Sequence, residues 1–188
     1  MNHNRSGKFC NRKVAGNVVR GLAVVLVALT ISGIASAQSI WDNTLRFEGG
    51  IGVIPVTGVA ANGAVTLNVV RGVSPAGPWR IGALQATVRP DGHIRVFGRG
   101  LLLAAGNGIG TNAGASVFAT LFCGPANSAT AFSTNRVALE ADGDFAINEF
   151  LTSALPTPCD TPVLLIRNAG GTGVWFAAGI PVVEDERK

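Results

Sequence analysis

Few side chains in this sequence are equipped for chemistry, and most of them stand alone. His93 is the one histidine after residue 37, so acid–base catalysis by an imidazole would have to use it. A Ser-His-Asp hydrolase needs an orienting acid on one ring nitrogen and a hydroxyl nucleophile on the other. No G-x-S-x-G elbow is present, and His93 directly follows the turn Pro90-Asp91-Gly92, which puts it beside solvent. Asp142, Asp144, Asn148 and Glu149 are hard oxygen donors of the kind calcium takes, but they lack EF-hand spacing, and Asp-Gly is ordinary hairpin-turn chemistry. No metal site is expected. Gly108 to Ala113 spells G-x-G-x-x-A, the dinucleotide fingerprint. That motif works only where a helix follows, because the helix N-terminus holds the pyrophosphate. Here Ser116 to Cys123 reads as a strand, so the segment reads as an inter-strand loop, and no cofactor is expected.

One constellation has the right chemistry to bind. Arg89, His93, Arg95, Phe97 and Arg99 flank the Pro90–Gly92 turn. Alternation on paired strands puts all five on one side. Guanidinium groups beside an exposed aromatic suit an anionic glycan or an acidic partner. The bland reading is a solvated face whose charges discourage edge pairing. These five residues are the candidate binding face.

Cys123 and Cys159 read as one disulfide, on the argument that two cysteines remain in an exported chain. A lone pair cannot complete a tetrahedral zinc site, and a catalytic thiol would again need His93. The bond would close a loop of about 37 residues, worth roughly 3 to 4 kcal/mol in the chain-entropy treatment.

The argument for export lies upstream. Arg5, Lys8, Arg12, Lys13 and Arg20 precede an apolar run from Gly21, which ends in Ala35-Ser36-Ala37 before Gln38. A charged n-region, a short apolar core and an A-x-A site make a secretory signal peptide. The run of about 17 residues is shorter than the roughly 20 that span a bilayer, and its last third is small residues. Cys10 precedes the run and so is not a lipoprotein cysteine. The expected organisation is a signal peptide over 1–37 and a secreted β domain over 38–188, secreted or periplasmic, with no membrane span after cleavage. Cleavage also changes the charge. Five of the fifteen basic residues and none of the eleven acidic ones lie before Gln38, so ten cations face eleven anions in the mature chain. The basic character belongs to the leader, and a nucleic-acid partner is not expected.

The mature chain reads as all-β. Short runs rich in Val, Ile, Leu, Phe and Thr recur between Gly, Pro, Asn and Asp, with no sustained helical period. Strands are expected at Leu45–Val53, Ala64–Val70, Trp79–Arg89, His93–Ala104, Ser116–Cys123, Arg136–Ala141, Phe145–Leu151, Pro162–Asn168 and Val174–Val182. Three hairpins are expected. The first turns at Pro90–Gly92, with Val88 opposite Ile94, Ala86 opposite Val96 and Leu84 opposite Gly98. The second turns at Asp142–Asp144, between Val137-Ala138-Leu139 and Phe145-Ala146-Ile147. The third turns at Gly170–Gly173, between two nearly continuous apolar runs that belong in the core. About eight or nine short strands in one domain make an antiparallel β-sandwich or a closed, barrel-like sandwich, following an N-terminal signal helix. An outer-membrane barrel fits less well, because such barrels carry aromatic girdles and this sequence has no tyrosine.

Residues 98–110, 143–147, 162–168 and 175–180 resemble segments of an uncharacterised family of small exported bacterial β proteins. That family is loosely similar to the CHRD-type extracellular β domain. The paired histidines of CHRD-type domains are absent, His93 standing alone. The resemblance therefore implies an extracytoplasmic β fold and no reaction. The resulting expectation is a non-enzymatic binding or structural module with a cell-envelope or extracellular glycan or protein as partner. The alternative is an extracytoplasmic hydrolase using His93. N-terminal sequencing of the exported protein should begin at Gln38, and a membrane-retained chain still carrying residues 1–37 would refute the cleavage.

Overall fold

The structure is a computed structural model that describes residues 43–182. The expected signal peptide over 1–37, with its helix and cleavage site, lies outside the described residues. Thirteen strands and no helix are found among them. In chain order the strands are β1 (Leu45–Gly52), β2 (Val56–Val59), β3 (Val65–Leu67), β4 (Trp79–Arg80), β5 (Ala83–Val88), β6 (His93–Arg99) and β7 (Leu102–Leu103). They continue with β8 (Ser116–Cys123), β9 (Thr130–Ser133), β10 (Val137–Ala138), β11 (Phe145–Phe150), β12 (Val163–Asn168) and β13 (Trp175–Pro181).

Alternation of apolar and polar residues dictates the central hairpin. Leu84, Ala86 and Val88 are buried, while Gln85 and Thr87 between them are exposed. β5 and β6 pair with Leu84 opposite Gly98, Ala86 opposite Val96 and Val88 opposite Ile94, the register expected from the turn. Gly92 donates to the Arg89 carbonyl and Arg89 to the His93 carbonyl, both at 2.9 Å, and Gly92 takes φ 84°. Glycine is favoured there because a side chain is strained at positive φ.

The main sheet runs β10-β8-β12-β13-β1-β5-β6-β11, antiparallel throughout, with β9 also on β8. It curls around an apolar interior. Phe47, Leu84, Ile94, Leu121, Ile147, Leu164 and Ile166 are all buried to 1% exposure or less. The glycine hairpin of β12 and β13 sits in this core, as its apolar runs require, with Leu165 opposite Ala178 and Ile166 opposite Ala177. Trp79 and Phe176 stack at 4.1 Å. The segment between β3 and β4 is tied to distant parts of the chain. The Trp175 indole donates to the Asn68 carbonyl at 3.0 Å, and Arg71, at the tip of a tight Val70–Val73 turn, donates to the Thr161 carbonyl at 2.8 Å.

Two long expected strands are broken. Trp79–Arg89 divides into β4 and β5 around Gly82, and His93–Ala104 into β6 and β7 around Gly100, which takes φ 62°. β2 and β9 were not anticipated. The second expected hairpin is corrected. Its turn forms, with Gly143 donating to the Glu140 carbonyl at 2.9 Å, but the flanking strands part. β10 pairs with β8, and β11 forms a six-residue ladder on β6. The turn docks on the chain leaving β6 instead of closing its own ladder. Leu101 donates to the Gly143 carbonyl at 2.9 Å, and Gly100 donates to Asp144 Oδ1 at 3.0 Å.

β10 and β11 are thus the two ends of the sheet order, joined by one short turn. Hydrogen bonds link the edges elsewhere too. Thr152 donates to the Ser133 carbonyl at 3.0 Å. Across the same seam, the Glu149 carboxylate accepts from the Asn135 backbone N–H at 2.9 Å and from Asn135 Nδ2 at 2.5 Å.

Cys123 and Cys159 form a disulfide with Cα atoms 4.9 Å apart. It ties the end of β8 to the segment before β12, where Gly124 also donates to the Asp160 carbonyl at 2.7 Å. Replacing both cysteines with Ala should lower unfolding free energy by about 3 kcal/mol while leaving a folded β domain, because the core above does not depend on the bond. Denaturant unfolding of the pair variant checks this; complete loss of the fold would contradict it. A second expectation concerns Gly98, which lies opposite Phe145 in the ladder. A Cβ added there would run into the Phe145 ring. Gly98→Ala should cost about 1–3 kcal/mol by overpacking, and adding Phe145→Leu should recover part of it. Two additive losses would refute the contact.

Candidate binding face

The outward side chains of four neighbouring strands make one surface. From β1 to β11 the strand pairings give a row of Glu48, Gln85, Phe97 and Ala146, and beside it a row of Arg46, Thr87, Arg95 and Asn148. His93 and Phe150 pair in the next row, next to Arg89, and Arg99 opposite Ala83 completes the other end. Alternation puts all of these on the side away from the core. The five expected residues, Arg89, His93, Arg95, Phe97 and Arg99, therefore do share a face. Phe97 is 55% exposed, Phe150 is 62% exposed, and His93 is half-buried.

Sequence reasoning missed Arg46, Asn148 and Phe150. Arg46 lies on a strand given no partner, Asn148 and Phe150 on one assigned to the wrong partner, and topology alone brings β1 and β11 beside the central hairpin. The period-two pattern of Arg46 and Glu48 around buried Phe47 was the available signal.

Charge on the face is only partly compensated. Arg89 pairs with Asp91 at 3.0 Å. Arg95 donates through Nε to the neutral Asn148 amide oxygen at 3.2 Å, which holds its side chain without cancelling its charge. Among the described residues neither Arg46, Arg95 nor Arg99 forms an ion pair. A depression of about 340 Å³ lies between Arg46, Glu48, Thr87, Arg95 and Phe97. A larger groove, about 810 Å³, opens at the seam beside Arg99, with Gln85, Glu140, Asp144 and Ala146 on its walls. Arg167 makes a contrast, because the fold consumes it. It lies 5.0 Å from the Phe118 ring centre, donates to the Gly173 carbonyl at 2.7 Å, and has its pKa lowered by burial.

The other residues singled out in the sequence are engaged separately. The imidazole of His93 meets the edge of the Phe150 ring at 5.1 Å, while its backbone N–H donates to Asp91 Oδ1 at 3.0 Å. Asp91 is thus held by the turn and by Arg89, and not by the ring of His93. Asp142 accepts from the Asp144 backbone N–H, Asp144 from Gly100, Asn148 from Arg95 and Glu149 from Asn135. Among the described residues no three His, Cys, Asp or Glu side chains gather as a metal site would need. Gly108–Ala113 is a loop followed by β8. Asn112 ties it down, donating to the Leu139 and Glu140 carbonyls at 2.8 and 3.0 Å. No protein family, curated protein or solved structure matches this chain.

Proposed function

We propose that this chain is an exported, non-enzymatic binding module and that its ligand is an anionic polysaccharide lying on the outer face of β1, β5, β6 and β11. The observation that carries the proposal is the sheet face on which Arg46, Arg95 and Arg99 stand without acidic partners among the described residues, next to exposed Phe97 and Phe150. Guanidinium groups match carboxylate and sulfate geometry with two parallel hydrogen bonds. Aromatic rings left in water offer flat apolar area to the C–H face of a sugar. Arg95 and Arg99 lie four residues apart on one strand, about 13 Å, so a chain with repeated negative charges can engage both. The Cys123–Cys159 bond is compatible with an oxidising compartment outside the cytoplasm, where such polymers are found. The resemblance to CHRD-like exported proteins suits the same placement.

The test is retention on a polyuronate matrix compared with a neutral glucan, across a salt series. The exported protein should bind the polyuronate and release as salt rises, because exposed charges are screened within about 10 Å at 0.1 M. Arg95→Ser with Arg99→Ser should weaken binding by about tenfold or more, and Phe97→Ala should weaken it on the same matrix. These side chains are exposed, so each change should alter stability by no more than about 0.5 kcal/mol. Equal retention of wild type and the double variant at every salt concentration would remove this face.

A further inference from the structure

The outer face of β1, β5, β6 and β11 is not uniformly cationic. Along the strands it falls into rows about 7 Å apart, because every second residue of a strand faces the same way. One row holds Arg46, Thr87 and Arg95, and another holds Ala83 and Arg99. Between them lies a row with no cation, made of Glu48, Gln85, Phe97 and Ala146. Glu48, Gln85 and Phe97 are exposed. The depression of about 340 Å³ spans the Arg46 row and the middle row, and the groove of about 810 Å³ spans the middle row and Arg99. Gln85 and Phe97 line both, so the two make one trough that passes over the middle row.

The rows differ in what they can hold. The outer two present guanidinium groups to carboxylates. In the middle row Phe97 offers a flat apolar plane, and the Gln85 amide offers both donors and an acceptor, the complement of an N-acetyl group. Glu48 forms no ion pair among the described residues. A carboxylate arriving in its row therefore meets a like charge with nothing to offset it. Glu140 and Asp144 line the seam side of the groove, and neither is ion-paired with Arg99. Asp144 Oδ1 accepts from the Gly100 N–H instead. These two carboxylates hold an anion to the Arg99 side of the groove by repulsion.

We propose that the ligand is an alternating copolymer, in which each uronic acid is followed by a neutral N-acetylhexosamine. It lies along β5 and β6 with its carboxylates in the outer rows and a neutral sugar on Phe97 and Gln85. The inference rests on the glycan reading above and narrows it. A polyuronate, charged at every sugar, brings a carboxylate to the middle row beside Glu48. The copolymer leaves that place uncharged. Specificity then has one repulsive element, Glu48, and one attractive element, Gln85.

The experiment is isothermal titration of the exported protein with two oligosaccharides of equal length at one salt concentration. One is an oligogalacturonate, and the other is an unsulfated oligomer of alternating glucuronate and N-acetylglucosamine. The oligogalacturonate carries twice the charge, so a face that responds to charge alone binds it tighter. The alternating oligomer should instead bind tighter by about threefold or more. Glu48→Gln should raise oligogalacturonate affinity by about threefold and shift the alternating oligomer less. Gln85→Ala should weaken the alternating oligomer more than the oligogalacturonate. Both side chains are exposed, and far-ultraviolet circular dichroism should not change. Oligogalacturonate binding that equals or exceeds that of the alternating oligomer, or a variant that moves both ligands by the same factor, would overturn this inference. The broader glycan reading would survive that result if Arg95→Ser with Arg99→Ser still weakened oligogalacturonate binding. Binding of neither oligosaccharide would overturn both.

Discussion

A curled sheet can keep its interior dry only if its two edges come together, and here the edges meet through the Glu149 carboxylate. β10 and β11 make no continuous ladder with each other. Asn135, in the break between β9 and β10, gives Glu149 both its backbone and its amide protons, and Thr152 reaches Ser133 one step further along. A carboxylate accepting two N–H groups is a stronger bridge than a neutral pair. With that seam held, the inward residues of eight strands face one another. Alternation then forces the remaining side chains outward. The interior and the cationic face are therefore two consequences of the same closure.

Small residues set how tightly the interior closes. Gly98 exists opposite Phe145 because the ring occupies the space where its side chain would stand. Gly179 lies against Phe47, Leu84 and Leu164, and a Cβ at Gly52 would meet the Trp79 backbone. Large aromatics on one strand and glycines on the next let the sheet bend without leaving voids, in keeping with the dense packing of protein interiors. The abundance of glycine within strands, which weakens strand propensity locally, belongs to this curvature.

Much of this was legible where period-two alternation is clean. The register of β5 and β6 follows from Pro90-Asp91-Gly92 and the alternating residues on either side, and the bounds of β8 are those expected. The seam was not legible, because Glu149 and Asn135 look like ordinary polar residues until topology makes two edges neighbours. The Asp142–Asp144 turn misled for a related reason. Turn chemistry fixes the bend, but β11 goes to a six-residue ladder on β6, and β10 is left to pair over two residues with β8. β2 was missed because Pro55 and Gly58 interrupt its pattern, and β9 because Thr130–Ser133 follows a loop rich in small polar residues. Half of the candidate face was visible as a local row. Arg46 and Phe150 became part of it only through pairings between strands far apart in sequence.

The place of β13 in the sheet order governs when this protein can become itself. It lies between β12 and β1, and Val182, just beyond it, still donates to the Arg46 carbonyl at 2.9 Å. A chain made N-terminus first has β1, β5, β6 and β11 available early, yet the edge of β1 stays bare until β13 arrives. Pairing across so long a loop is slow and comes late. The interior can therefore be sealed only once β13 is available. The architecture delays its own completion until a strand far from β1 in sequence takes its place beside it.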